Sequence, residues 1–284
     1  MLALDVKDLN KKYKNFQLKD VSFQLKKGFI MGFIGANGAG KTTTLKSILN
    51  MNHIDSGEIS ILGKNFIEHE MELKQEIGYA FGGIDFYTRS KIKKLTNVIK
   101  KFYSNWDEEI YYTYLKKFKL DENKKIVELS AGMRVNYNLA LALSHGAKLL
   151  ILDEPTSGLD PVARDNLLEI FQELVEEGEI SILFSTHITS DLEKCADYIT
   201  YINEGQIINS CEKEEFINAY RLLNGKESQL VEVKDQLISY KRNSFGFTGL
   251  IYSKDFDSAS DINSTLPNLE EIMIYFSKKE DMYV

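Results

Sequence analysis

The sequence has 284 residues, a net charge of −7 and a pI near 5.3, with 43% hydrophobic and 27% charged residues. That fits a soluble globular chain of one large domain or one domain plus an appendage, and it speaks against a broad nucleic-acid-binding surface, which needs excess positive charge. No apolar run has the length of a membrane-spanning helix, the start "MLALDVKDLN" is too acidic for a secretory signal, and Cys195 and Cys211 suit free thiols in a reducing compartment better than a disulfide framework or a CxxC site.

In chain order, "LALDVKDL" and "LKDVSFQL" alternate as antiparallel strands do, and "FIMGFIG" is a continuous apolar run that predicts a strand buried on both faces. A glycine-rich turn follows, then "KTTTLKSILN" with helical spacing through Leu45, Ile48 and Leu49, then the strand "SGEISILG". "EIGYAFGGIDFY" begins as a half-buried edge strand, with Ile77, Tyr79 and Phe81 alternating with small or polar residues, and stops on Gly82 and Gly83. Residues 88–145 have few glycines and helical spacing. "LLILDEP" predicts a second buried strand, "RDNLLEIFQELVEEG" a helix ending at Gly178, "EISILFSTH" a third buried strand, and "DYITYINEGQII" a hairpin turning at Glu204-Gly205. Beyond about residue 212 the pattern weakens, with strand pieces in "RNSFGFTGLIYS" and a helix after Pro267. Buried strands alternating with helices predict an α/β sheet with a helical insertion and a small antiparallel layer.

"GANGAGKT", residues 35–42, fits G-x-x-x-x-G-K-[ST] and lies between a buried strand and a helix. Its glycines let backbone N–H groups turn inward around phosphate oxygens, and the helix N-terminus adds partial positive charge. Lys41 can reach the β- and γ-phosphates and the Thr42 hydroxyl can ligate Mg²⁺; the competing reading is a structural glycine turn. "LLILDEP" ends in Asp153, placed to hold Mg²⁺ at the carboxyl end of the sheet, and Glu154, which Pro155 keeps out of the helical region, as suits a carboxylate that orients or deprotonates water. Alone, such a strand end is a pair of solvated acids. In "ELSAGMRVNYNLALALS", Ser130 can cap a helix with an apolar face of Val135, Leu139, Ala142 and Leu143, and Gly132 leaves first-turn N–H groups uncovered; the alternatives are an anion site and an ordinary capped core helix.

"LSAGM" resembles the LSGGQ signature of ABC ATPases, and it stands before the "LLILDEP" strand, "SGLD" (157–160) and "STH" with His187 in the order that family uses. The resemblance covers residues 1 to about 212 and departs from the signature at its third and fifth positions; Met133 removes a polar amide, which bears more on partner contact than on phosphate binding. It implies a P-loop NTPase of the ABC type, α/β, with a mainly parallel core sheet, an N-terminal antiparallel β-subdomain and a helical subdomain inserted at about 84–145. Residues 213–284 would be a small C-terminal appendage. It implies ATP and Mg²⁺ as ligands and a head-to-tail homodimer or heterodimer of nucleotide-binding domains, with ATP between one P-loop and the partner's signature. By position, Tyr13 would stack on adenine; Asn37, Gly38, Ala39, Gly40, Lys41, Thr42 and Thr43 would hold phosphates and metal; Asp153 would support the metal and Glu154 would be the general base. Ser130 and Gly132 would bind the partner's nucleotide, Asp160 would belong to the loop crossing the dimer, and His187 would contact the γ-phosphate. His53, His69 and His145 match no motif.

The compact span from Lys41 to Asp153 is unlike the chromosome-maintenance ABC proteins, and a single P-loop is unlike the two-domain ribosome-associated factors. The region "FYSNWDEEIYYTYLKKFKLDENKKIVELSAGM" resembles bacterial drug- and peptide-exporter ATPases of the bacitracin-resistance type, including those of phenol-soluble-modulin exporters. That implies a separate transmembrane permease, a peripheral position on the cytoplasmic face of the membrane, and no nucleic-acid partner. A nucleic-acid- or ribosome-coupled ABC ATPase and a soluble P-loop kinase stand as alternatives. Gly82 and Gly83 fall where the family carries a Gln that reaches Mg²⁺ and the attacking water, and no Gln follows; a hinge with weak metal sensing is expected, with water or Asp85 in place of the amide.

Overall fold

The computed structural model describes residues 1–81, 87–256 and 261–277. Gly82, Gly83 and Asp85, and with them the expected hinge, lie outside the described residues. Among the described residues no helix is long and apolar enough to cross a membrane.

The chain opens with β1 (Leu2–Lys12) and β2 (Gln17–Lys26), then runs through β3 (Ile30–Ile34), α1 (Lys41–Ile48), β4 (Ser56–Ile61), β5 (Lys64–Asn65), α2 (Glu70–Leu73) and β6 (Ile77–Phe81). Three helices follow: α3 (Ile92–Ile99), α4 (Glu108–Lys117) and α5 (Ala131–Ser144). Next come β7 (Leu149–Asp153), α6 (Pro161–Glu176), β8 (Ser181–Thr186), α7 (Thr189–Cys195), β9 (Tyr198–Asn203) and β10 (Gln206–Glu212). The remainder is α8 (Lys213–Asn218), β11 (Tyr220–Gly225), α9 (Glu227–Val233), β12 (Leu237–Asn243), β13 (Gly246–Tyr252), β14 (Asn263–Thr265) and α10 (Leu269–Ser277).

Six strands form the core sheet in the order β10-β9-β3-β8-β7-β6, parallel except for β10. β3 and β7 are buried at every position, as the apolar runs predict. Their residues divide between the two faces: Met31, Phe33, Leu149, Ile151 and Leu183 pack with α1 and the N-terminal strands, whereas Ile30, Ile34, Leu150, Leu152, Ile182 and Phe184 pack with α5, α6 and α7. The antiparallel sheet β2-β1-β4-β5 covers the first face. In parallel register Ile34 pairs with Thr186 and Asp153 with Ser185, so the loops after β3, β7 and β8 leave the sheet at one edge. That edge is where ligands bind in open α/β sheets.

Two local expectations need correction. β6 is an edge strand, but Tyr79 is 53% exposed while Gly78 and Ala80 are buried. Close packing sets this: a Cβ on Gly78 would lie 2.4 Å from the Ala142 Cβ of α5. The buried side of α5 is also wider than the expected stripe, since Tyr137, Ala140 and Leu141 are buried beside Leu139, Ala142 and Leu143 while Val135 is only half-buried.

Beyond Glu212 the chain is more regular than its sequence suggests. β12-β13-β11-β14 form a four-stranded antiparallel sheet, and α10 returns to the core, where Phe276 meets Tyr201 with ring centroids 5.4 Å apart. The Leu269 N–H at the start of α10 donates to Glu193 Oε1 of α7 at 3.3 Å.

Candidate functional site

The loop between β3 and α1 turns through left-handed conformations at Gly38 (φ 83°) and Gly40 (φ 114°), which a side chain would strain. Asn37 and Gly38 stand exposed at its lip; Ala39 is buried, and its N–H is engaged inside the turn with the Ala36 carbonyl at 3.1 Å. The Gly205 N–H in the β9–β10 turn donates to the Ala39 carbonyl at 2.9 Å and braces the loop from behind. Lys41 is buried, its Nζ donating to the Gly35 carbonyl at 2.8 Å and lying 3.4 Å from Glu154 Oε1. The ammonium thus sits folded across the loop mouth with a carboxylate as counter-ion. Thr42 is exposed and Thr43 half-buried at the start of α1.

At the ends of β7 and β8, Asp153 is the centre of a hydrogen-bonded set. Thr42 donates its hydroxyl to Asp153 Oδ2 at 2.8 Å and Ser185 donates to Oδ1 at 2.6 Å. The Glu154 N–H donates to Ser185 Oγ at 3.0 Å and to the Ser185 carbonyl at 3.1 Å. Glu154 takes φ 51°, the left-handed region, outside the right-handed helix that Pro155 disfavours. Proline disfavours the right-handed helix before it, and the two bonds to Ser185 hold the remaining choice, at a cost of about 1–3 kcal/mol for a non-glycine residue. This turn directs the carboxylate toward Lys41 on one side and His187 on the other, whose Nδ1–H donates to Glu154 Oε2 at 2.8 Å. His187 Nε2 is the ring nitrogen not engaged by Glu154.

A second group gathers at the starts of α5 and α6. Ser130 caps α5 by accepting from the Met133 N–H at 3.2 Å. Asp160 caps α6, accepting from the Val162 and Ala163 N–H groups at 3.0 and 3.1 Å, with Pro161 in the first helical position. Gly132 faces this second helix: a Cβ on it would meet Leu159 at 3.5 Å and Ala163 at 3.8 Å, ordinary contact distances. Among the described residues no hydrogen bond or ion pair joins Ser130 or Asp160 to Lys41, Thr42, Asp153, Glu154 or His187. Tyr13 is apart from both groups, 41% exposed in the β1–β2 turn, with the Lys11 ammonium 5.6 Å from its ring centre. Its N–H donates to the Phe16 carbonyl at 2.7 Å, and the Phe16 ring tip would lie 2.9 Å from a Cβ on Gly40. The Phe16 end of the hairpin therefore rests on the phosphate loop.

The sequence model of the ABC transporter family matches residues 18–157. The chain is 35% identical over 210 residues to the bacitracin transport ATP-binding protein BcrA of Bacillus licheniformis, covering 71% of this chain and 67% of that one. The chain belongs to the ABC transporter family, as an ATP-binding protein. It is also 29% identical over 284 residues to the ABC transporter ATP-binding protein YtrB of Bacillus subtilis (strain 168), across 95% of this chain and 97% of that one. A solved structure of an ATP binding subunit of an ABC transporter superposes with a TM-score of 0.67 at 28% identity, over 75% of this chain and 91% of that chain.

For this ABC protein the sequence had pointed to Lys41, Thr42, Asp153, Glu154 and His187, and the fold brings all five together. It had not pointed to Ser185, which is fully buried and bonded to both acids. Its position two residues before His187 at the end of an apolar strand was the available signal. The pair Thr42 and Asp153 fits Mg²⁺: two hard oxygen donors are 2.8 Å apart at the mouth of a phosphate loop, and Mg²⁺ is typically bound by one or two protein oxygens with substrate phosphates and waters completing its shell. Among the described residues no cluster of three or more His, Cys, Asp or Glu side chains could hold a metal by itself.

Proposed function

We propose that this chain is the ATP-hydrolysing subunit of a bacterial ABC transporter that exports peptides or antimicrobials through a separate membrane permease, and that amphipathic peptides of the phenol-soluble-modulin type are its cargo. The observation that carries the reading is the convergence of Lys41, Glu154 and His187 within 3.4 Å steps at the sheet edge that also holds Thr42 and Asp153. The transport direction and cargo class follow from the resemblance to peptide-exporter ATPases and from the bacitracin transport named for the BcrA relative. The protein then works at the cytoplasmic face of the membrane, held there by its permease.

On this reading the N–H groups of Gly38, Gly40 and Lys41 bind the phosphates, and Lys41 swings from Glu154 to the β- and γ-phosphates when ATP enters. Asn37 and Ala39 shape the loop, Thr43 flanks the α- and β-phosphates, and Tyr13 stacks on adenine. Thr42 and Asp153 would hold Mg²⁺, which would supply Lewis-acid stabilisation of charge on the phosphates. Glu154, released from Lys41, orients the attacking water and takes its proton; His187 holds the Glu154 carboxylate through Nδ1 and offers Nε2 to the γ-phosphate. Ser130, Gly132 and Asp160 complete the site of a partner domain across a head-to-tail dimer. Among the described residues no hydrogen bond or ion pair joins Ser130 or Asp160 to the phosphate-loop cluster, as that arrangement requires. Residues 1–212 form the nucleotide-binding unit, with a helical subdomain inserted at about 84–145, and residues 213–284 are a packing or dimer-stabilising appendage.

The experiment is the Glu154→Gln variant with MgATP, followed by light scattering and phosphate release. A dimer that forms only with ATP and hydrolyses far more slowly than the wild-type protein supports the reading. A protein that stays monomeric with ATP points to a soluble kinase-like NTPase instead. Co-purification with rRNA or DNA and no membrane protein points to a nucleic-acid-coupled ABC ATPase.

A further inference from the structure

Four residues beyond His187, Asp191 is 1% exposed in the first turn of α7. Its carboxylate faces the first turn of α6, where Arg164 Nε lies 4.0 Å from Oδ1. It also faces Thr156, which is fully buried between Glu154 and Asp160 and whose hydroxyl favours the ionised carboxylate without reaching good hydrogen-bond geometry. Glu154 and His187 are its other charged neighbours, the first repelling the carboxylate and the second attracting it. Burial outweighs these influences and holds its carboxyl above the ordinary carboxylate range.

Asp191 Oδ2, Arg164 Nε and Thr156 Oγ1 are all buried and all lack a hydrogen-bond partner. A buried polar atom without a partner costs roughly 1–3 kcal/mol, and an apolar residue in place of a buried ion pair is often no less stable. Three such atoms in one spot stabilise the fold poorly. What they do accomplish is mechanical. The Asp191 N–H donates to the Ile188 carbonyl at 3.2 Å and the Ile188 N–H donates to Thr186 Oγ1 at 3.0 Å, so Asp191 and His187 belong to one tight turn. Thr156 lies two residues after Glu154, and Arg164 follows the Asp160 cap of the same segment. One carboxylate therefore links both stretches of chain that carry the Glu154–His187 contact, through its ion pair with Arg164 at 4.0 Å.

We propose that Asp191, acting through Arg164 and Thr156, is a positioning residue for ATP hydrolysis: it ties segment 154–164 to segment 187–191 and so keeps Glu154 and His187 in register. This rests on the reading of Glu154 and His187 given above. Asp191 is 1% exposed, and its effect passes through His187.

The test is a mutant cycle on the full chain with saturating MgATP, reading the single-turnover rate, nucleotide affinity and thermal midpoint of Asp191→Asn, His187→Ala and the double variant. A misplaced catalytic group costs up to about a hundredfold in rate, so Asp191→Asn is expected to slow hydrolysis about ten- to hundredfold with nucleotide affinity within about twofold of wild type. The double variant should be no slower than His187→Ala alone, because the two residues act along one line. Rates that multiply in the double variant, or a wild-type rate in Asp191→Asn, overturn the proposal. If Asp191→Asn does not fold, Arg164→Met replaces it in the cycle, with Arg164→Lys expected to restore part of the rate. An inactive wild-type protein, or a fully active His187→Ala, would instead remove the reading on which the proposal stands.

Discussion

Lys41 and Glu154 meet at 3.4 Å, a buried ammonium against a carboxylate held in a left-handed turn. Each is the other's counter-ion, and on the proposed function ATP separates them. Lys41→Ala is therefore expected to abolish measurable nucleotide binding. Glu154→Gln, which removes the counter-ion without removing the phosphate contact, should bind ATP at least as tightly as wild type. Calorimetry on both variants checks this; weaker binding in Glu154→Gln would mean that the carboxylate itself supports the nucleotide.

Ser185 joins the two acids, donating to Asp153 and receiving the Glu154 N–H. Hydrogen bonds to charged groups are worth about 1.5–3 kcal/mol. Ser185→Ala should lose stability of that order, visible in a urea titration, and should hydrolyse ATP more slowly because Glu154 loses part of what holds its backbone. A variant as stable as wild type would show that water replaces the hydroxyl at Asp153.

Gly132 separates fold from function. A methyl there meets only ordinary contacts within the chain, and alanine is the better helix residue by about 0.5–1 kcal/mol. Gly132→Ala should thus leave the monomer equally or slightly more stable while impairing ATP-dependent dimerisation and hydrolysis. Unchanged hydrolysis would show that no nucleotide approaches this helix end closely.

Tyr13 is exposed and rests on the hairpin that abuts Gly40. Base–aromatic stacking contributes about 1–3 kcal/mol. Tyr13→Ala should weaken ATP binding roughly five- to hundredfold, and Tyr13→Phe should restore it, since the ring face is what matters. Fluorescent nucleotide titrations distinguish the two outcomes.

His145 is buried at the end of α5, stacked on Tyr103 with ring centroids 3.8 Å apart and bonded through Nδ1 to the Gln75 carbonyl at 2.9 Å. Burial holds its imidazole below the ordinary value near about 6.5. The unfolded chain therefore takes up the proton more readily, so this contribution is complete above that value and is lost as the pH falls through it. The thermal midpoint should drop between roughly pH 7 and 5, and drop less in His145→Phe, which keeps the stacking. Equal drops in both proteins would assign the acid sensitivity to other groups.

The parts of this protein governed by local backbone chemistry were legible in the sequence. The glycines of the phosphate loop, the apolar runs of β3, β7 and β8, the cap Ser130 and the Glu204-Gly205 turn each follow from propensities acting within a few residues. Because parallel strands must expose their carboxyl ends along one edge, the grouping of Lys41, Asp153, Glu154 and His187 was implicit as well. Tertiary structure alone decided the rest. The exposure of Tyr79, the left-handed turn at Glu154, the role of Ser185, the buried Asp191 and the antiparallel sheet beyond Glu212 all depend on partners distant in sequence: α5 against Gly78, β8 against β7, α6 against α7, α10 against Tyr201. Pairing across such separations leaves no local period to read, since a residue's burial there is set by what packs against it rather than by its own neighbours.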